Sequence, residues 1–220
     1  MLDIVQGLWI GNELSKLEQL SIQSFIDNGH EYHLYVYSDG IKNIPEKAVI
    51  KDGNEIIHKS EIYRYKNGSV SAFSNLFRFT LLYKKGGVWA DTDLVCVKPL
   101  AINKEIVIST EPDWTYTKNT ITSSLLKLPK HSDIAAEGVK MQIAHKKVIL
   151  EGKMAWGSGP KTVNYLVNKY NLSEYVLPWR GICSCWGGDI GSLINKKNLQ
   201  KTTNINIINT VNKIPEIMYG

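Results

Sequence analysis

Cysteine is scarce in this 220-residue chain: only Cys96, Cys183 and Cys185 are present. So low and odd a number argues against a disulfide framework and fits a reducing compartment. The Cys183-x-Cys185 pair makes a poor metal site, because no Cys or His partners stand at zinc-ligand spacing. Long apolar runs are also missing. No stretch approaches the ~20 residues that a membrane span needs. The N-terminus, MLDIVQGLWIGNE, lacks the basic start and apolar run of a signal peptide. A soluble, cytosolic protein is therefore expected. Dense basic runs are absent too. The 26 Lys and Arg against 21 Asp and Glu leave a net charge of +5, spread in short pairs such as Lys84-Lys85 and Lys146-Lys147. A surface that tracks nucleic acid is denser, whereas a mild positive balance suits an anionic small molecule. The five histidines, His30, His33, His58, His131 and His145, form no spaced cluster. No Ser/His/Asp arrangement and no phosphate-cradling Gly-x-x-x-x-Gly-Lys occurs.

What is there is an alternation of strand and helix signals. Residues 3–10 read as a buried first strand. Residues 13–28 carry Leu14, Leu17, Leu20, Ile22, Phe25 and Ile26 on a broad apolar stripe, the pattern of an amphipathic helix. Residues 32–37 read as a second strand. This βαβ opening marks an α/β fold with a largely parallel sheet, and the length suits one domain. Residues 69–84 form a helix with Val70, Phe73, Phe77, Leu81 and Leu82 near one stripe. Gly86-Gly87 ends it, and residues 88–97 read as a central strand. Residues 105–109 suggest another strand. Residues 111–130 are polar and read as an irregular substrate loop. Helices are expected at 132–147 and at 157–170, the latter opening Gly-Ser-Gly-Pro with Pro160 at an early helical position. A further strand is possible at 204–210.

The chemistry concentrates where the central strand emerges. Asp91 and Asp93 flank Thr92, and alternate residues of an extended strand point the same way. Two carboxylates so close are costly unless a cation neutralises them. Hard oxygen ligands favour Mg²⁺ or Mn²⁺, and these favour phosphate oxygens. In open α/β sheets, ligands gather beyond the carboxyl ends of the strands. Arg78, on the preceding helix, suits recognition of phosphate or sugar hydroxyls. Asn75 stands three residues earlier on a neighbouring face. Trp9, near the end of the first strand, has a flat face that suits a nucleobase.

Four pieces together resemble glycosyltransferase family 32: Trp9-Ile10-Gly11, Ser74-Asn75-x-x-Arg78, Gly86-Gly87-Val88-Trp89-x-Asp91-x-Asp93, and Gly159-Pro160. That family includes yeast Golgi mannosyltransferases, α-1,4-galactosyltransferases and bacterial capsule enzymes. The glucosyltransferase domain of large clostridial toxins is similar at greater distance. The resemblance implies a GT-A-type, Rossmann-like fold: a mixed, mostly parallel sheet flanked by helices. It implies a single domain over residues 1–220, with a nucleotide-sugar half at 1–100 and an acceptor half at 101–220. The implied reaction is metal-dependent, with Mn²⁺ or Mg²⁺. A sugar moves from a nucleotide-sugar, expected to be a UDP-sugar, to a glycan or other hydroxyl acceptor, usually with retention.

By the same resemblance, Asp93 ligates the metal directly and Asp91 holds the ribose and the metal shell. Trp9 stacks on the base, and Arg78 and Asn75 hold the donor sugar. Ser74 and Gly87 fall in the same motifs as substrate-binding residues. Ser184-Cys185-Trp186 is similar to the toxins' Ser-x-Trp that touches the β-phosphate. Asn75 stands where the family has Asp, which bears on donor choice. A further C-terminal ligand, commonly His in the family, has only Asn209 or Asn212 near its place. Retention needs no enzymatic base; an inverting reaction would call on Asp113, Asp189 or Glu111. A bacterial or viral surface-glycan enzyme acting in the cytoplasm is the expected setting. Two other classes fit parts of the pattern. Asp91-Thr92-Asp93-Leu94-Val95 also matches the Asp-x-Asp-x-Val of haloacid-dehalogenase-type phosphohydrolases, with Asp91 as nucleophile. A non-catalytic nucleotide-sugar binder would carry the same motif.

Overall fold

Strand β1 (Val5–Leu8) leads through α1 (Lys16–Asp27) to the parallel strand β2 (Tyr32–Val36). Helix α1 begins where Ser15 and Glu18 close a capping box: Leu17 N–H donates to Ser15 Oγ, and Ser15 N–H donates to Glu18 Oε2 at 2.8 Å. Strand β3 (Val49–Asp52) extends the sheet beside β2. Helix α2 (Ser71–Lys85) stops at Gly86, whose positive φ of 71° turns the chain into β4 (Val88–Ala90). That turn is held from β1, where Gln6 Nε2 donates to Gly86 O at 2.8 Å. The chain continues through β5 (Leu94–Cys96), β6 (Val107–Pro112), β7 (Asn119–Lys127), α3 (Asp133–Leu150), α4 (Ser158–Lys169) and β8 (Ile207–Asn209). The computed structural model describes residues 2–100, 103–113, 115, 117–179 and 207–209.

The main sheet has the order β3-β2-β1-β4-β7-β6. Strands β3, β2, β1 and β4 are parallel, and β7 runs antiparallel to both its neighbours. This is the mixed, mostly parallel α/β sheet the sequence predicts. One face buries Val5, Ile22, Phe25, Tyr32 and Leu34 under α1. The other buries Phe73, Phe77, Leu81 and Trp89 with the apolar sides of α3 and α4. Gly138 of α3 lies against the ring of Phe79, so a Cβ there would clash and α2 and α3 pack closely.

Two expectations are corrected. Residues 88–97 are not one strand. The chain turns at Asp91–Asp93, where Leu94 N–H donates to Asp91 O at 3.2 Å, and β5 leaves the main sheet. It docks on α1 instead: Ser21 Oγ donates to Leu94 O, Cys96 N–H to Ser24 Oγ, and Asn28 Nδ2 to Cys96 O. Residues 111–130 are not a loop either. Their second half is the nine-residue β7, inserted between β4 and β6. Its Thr and Ser look loop-like by polarity, but Thr is a good strand former, and the buried Thr122 Oγ1 donates to Ser124 Oγ at 3.4 Å within the strand. No helix among the described residues is long and apolar enough to cross a membrane.

Candidate active site

A cavity of about 700 Å³ opens beyond the carboxyl ends of β1 and β4. Trp9, Ser74, Asn75, Arg78, Asp91, Thr92 and Asp93 all line it, with Glu111, Ser123, Ser124 and Trp156. The aspartate pair reaches it from a turn, not from an extended strand. The turn is anchored on three sides: Asp91 N–H donates to Ser124 O of β7 at 2.8 Å, Leu94 N–H closes onto Asp91 O, and β5 is tied to α1.

Arg78 is 3% exposed, not the solvent-facing side chain its helix position permits. Its Nη2 pairs with Asp91 Oδ1, and its Nη1 donates to Asn75 Oδ1 at 3.0 Å. The guanidinium also lies 5.0 Å from the Trp89 ring centre, and Trp89 Nε1 donates to Asp91 Oδ1 at 2.7 Å. Burial pushes the Asp91 carboxyl up, and the Arg78 charge and these two donors pull it back. Asp91 keeps 30% of its side chain exposed; burial leaves its carboxyl raised, and Arg78 supplies the charge that favours the ionised form. At Asp93 the Arg78 charge and a backbone hydrogen bond also favour the carboxylate, but they do not prevail. Burial, then the charge of Asp91, pushes its carboxyl up to about 8. The carboxylate of Glu18, fixed at the start of α1, adds to that push. Beneath the turn, Tyr32 is fully buried, and the charges of Asp91 and Asp93 add to burial in keeping its phenol protonated.

Asn75 is a node. Its Nδ2 donates to Ser158 Oγ at 3.0 Å while its Oδ1 serves Arg78. One N–H and one lone pair remain for a ligand. Ser158 Oγ also accepts from Tyr65 O–H at 2.9 Å, and Gln142 Nε2 donates to Ser158 O and to Thr162 Oγ1. A buried polar chain thus joins the aspartate turn to the N-terminus of α4. Gly159 sits so close to Asn75 Oδ1 and Ser123 Oγ that a Cβ would overlap both.

Other expected residues fall elsewhere. Gly87 does not line the cavity. It lies at the opposite end of β4, beside Gln6, where its φ of 83° serves the turn. Asp113 lies outside the cavity as well: it accepts from Thr115 Oγ1, Thr117 N–H and Lys118 N–H, and these bonds hold its carboxyl low. Glu111 does line the cavity, half-buried, and burial pushes its carboxyl up. Asn209 pairs with Leu94, the residue after Asp93, in the two-stranded β5–β8 sheet. Ser184, Trp186, Asp189 and Asn212 lie outside the described residues. Among those described, no three His, Cys, Asp or Glu side chains converge as a ready metal cage. Glu18, Tyr65, Ser158, Ser123 and Trp156 are the site residues that sequence reasoning misses. The Ser15-x-x-Glu18 spacing and the Gly-Ser-Gly-Pro opening of α4 were the available signals for two of them.

A family model described as the glycosyltransferase sugar-binding region containing the DXD motif matches residues 15–119, somewhat under half of the chain. It spans Asn75, Arg78 and the Asp91–Asp93 turn. Among solved structures, the chain is similar to one titled PaToxG glycosyltransferase. The identity is 15% and the TM-score 0.55, over 90% of this chain and 76% of that one. It is similar also to mouse xyloside xylosyltransferase 1 in its apo form, at 9% identity and TM-score 0.55, over 96% and 98% of the two chains. No curated protein matches the sequence. The solved structures show a fold shared with glycosyltransferases, and the family match over residues 15–119 supports a glycosyltransferase. The DXD of its sugar-binding region is Asp91-Thr92-Asp93.

Proposed function

We propose that this chain is a family 32-like glycosyltransferase that depends on a divalent metal and moves a hexosyl group from a UDP-sugar to a hydroxyl of a glycan or other acceptor, with retention. The observation that supports this reading is the Asp91–Asp93 turn, which faces one cavity with Trp9, Asn75 and Arg78. The donor set fits Mn²⁺ or Mg²⁺. Asp93 is a hard oxygen ligand whose ionisation is opposed by burial and by Asp91 until a cation arrives. Asp93 would hold the metal, and Asp91 the ribose and the metal's outer shell. When bound, the metal supplies Lewis-acid stabilisation of the diphosphate leaving group.

The chain's own residues do the rest. Trp9, at the end of β1, offers its ring to the base. Arg78 keeps Asp91 ionised and aimed, and its charge adds to the field that receives the diphosphate. Asn75 turns its remaining N–H and lone pair to the donor sugar. In the transfer, the acceptor oxygen bonds to the anomeric carbon. The carbon–oxygen bond to the diphosphate breaks with its electron pair on the nucleotide, and the acceptor's proton ends on the leaving phosphate. No carboxylate base is needed for that route; Asp113 is committed to its own turn, and Glu111, which lines the cavity, is the carboxylate an inverting route would call on.

Release of UDP from a panel of UDP-sugars tests the reading. Turnover that requires Mn²⁺ or Mg²⁺ and vanishes in Asp93→Ala is expected. Metal-independent release, or full activity of Asp93→Ala, would contradict it. The phosphohydrolase alternative needs Asp91 as a free nucleophile, yet its Oδ1 already accepts from Arg78 and Trp89. A phospho-aspartate trapped on Asp91 would revive that alternative.

A further inference from the structure

Trp156 is 64% exposed. Of the large apolar side chains left exposed among the described residues, it alone lines the cavity. Exposed apolar surface at the rim of a binding cleft marks contact with a partner or ligand. The ring does not hang free. It rests on Tyr65, with ring centres 5.7 Å apart and planes tilted by 37°. Tyr65 is itself locked into the start of α4: its hydroxyl donates to Ser158 Oγ and accepts from Ser158 N–H at 3.3 Å. Gly157, with φ 84°, makes the turn between Trp156 and that helix. Two residues of sequence therefore tie an exposed indole to the same Ser158 that Asn75 holds. An aromatic face fixed in this way loses little freedom when something lands on it.

The sheet order says which part of a substrate that is. In the run β1-β4-β7, Trp9 follows β1, the aspartate turn follows β4, and Ser123 lies on β7. The α4 N-terminus packs on the β7 side, with Gly159 against Ser123. Trp9 and Trp156 thus belong to opposite sides of the aspartate turn, and a nucleotide laid from Trp9 to Asp93 leaves Trp156 for the acceptor. The surrounding wall is rich in hydroxyls: Ser69, Ser71, Thr122 and Ser123 line the same cavity. A pyranose ring has this two-sided character, with an apolar C–H face to cover an indole and a rim of hydroxyls to meet Ser and Thr. A peptide or lipid acceptor would call for a charged or longer apolar groove.

We propose that Trp156, braced by Tyr65, is the platform on which an acceptor pyranose stacks, so that the acceptor is a saccharide. The proposal rests on the glycosyltransferase reading above and names its acceptor class. Saturation-transfer NMR of methyl glucoside, methyl galactoside and methyl N-acetylglucosaminide tests it, with UDP and Mn²⁺ present. At least one is expected to show transfer to its ring C–H protons on the wild-type protein. Its affinity should fall roughly tenfold or more in Trp156→Ala, as for other truncated aromatic anchors, and be largely restored in Trp156→Phe. Because the side chain is mostly exposed, Trp156→Ala should unfold at the wild-type temperature. Equal binding by wild type and Trp156→Ala, or no pyranoside binding to wild type, overturns the proposal. UDP binding on the same samples reports the donor half separately. If UDP ignores Mn²⁺ and Asp93, the donor reading fails while the Trp156 result still stands or falls on its own.

Discussion

At the residue scale, the Asp91–Asp93 pair divides one problem between two carboxylates. Asp91 is held by Arg78 and Trp89, and the Asp93 carboxyl is pushed up by burial and then by its neighbour's charge. A carboxyl raised from 3.8 to about 8 holds its proton more tightly folded than unfolded. Its contribution to stability is therefore full below about pH 4 and is lost as pH rises towards and through about 8. Without metal, Asp93→Asn should melt above the wild type at pH 8–9, by on the order of 2 kcal/mol. The gap should narrow as pH falls to 5, and a pH series of thermal unfolding reads both. Arg78→Lys tests the other half of the pair. A lysine cannot reach Asp91 and Asn75 together and leaves a buried acceptor unmet. A loss of about 2–4 kcal/mol in denaturant unfolding is expected. A change under 0.5 kcal/mol would mean the guanidinium is not holding the site together.

At the scale of elements, the site is where helix ends and strand ends meet. The Gly159 cradle makes this testable. Gly159→Ala drives a methyl into Asn75 and Ser123, so it should cost about 1–3 kcal/mol in unfolding and lower UDP release through Asn75, whereas Gly152→Ala, strained by its φ of 72° but with nothing within 4 Å, should cost stability and leave UDP release by the folded protein intact. The same elements show what the sequence does and does not disclose. The βαβ opening, α2 and its glycine stop were legible because apolar period and turn chemistry agree. The aspartate motif was legible as a pair but not as a turn. Its bend is set by Ser21 and Ser24 of α1 and by Ser124 of β7, all distant in sequence. Strand β7 was illegible because its polarity is that of a loop, while the pairing with β4 that makes it a strand joins residues distant in sequence. Arg78 was legible as a ligand-recognising residue but its burial was not, since the partner that makes it buriable lies thirteen residues on.

At the scale of the whole molecule, the sheet's order does the arranging. Parallel strands β1 and β4 deliver Trp9 and the aspartate turn to one edge of a cavity. The antiparallel β7, helix α4 and the turn before it close its other side with Ser123, Pro160 and Trp156. We propose a donor half up to residue 100 and an acceptor half after it; Tyr65 O–H donates to Ser158 Oγ across that division. The account's central claim is that Asp93 joins a metal to a nucleoside diphosphate. Calorimetry of UDP binding, with and without Mn²⁺, tests it most directly. Wild type should bind UDP at least tenfold more tightly with Mn²⁺, a gain of about 1.4 kcal/mol, and Asp93→Ala should show no such gain. UDP binding that is indifferent to Mn²⁺ in the wild type, or a metal effect that survives in Asp93→Ala, would contradict it.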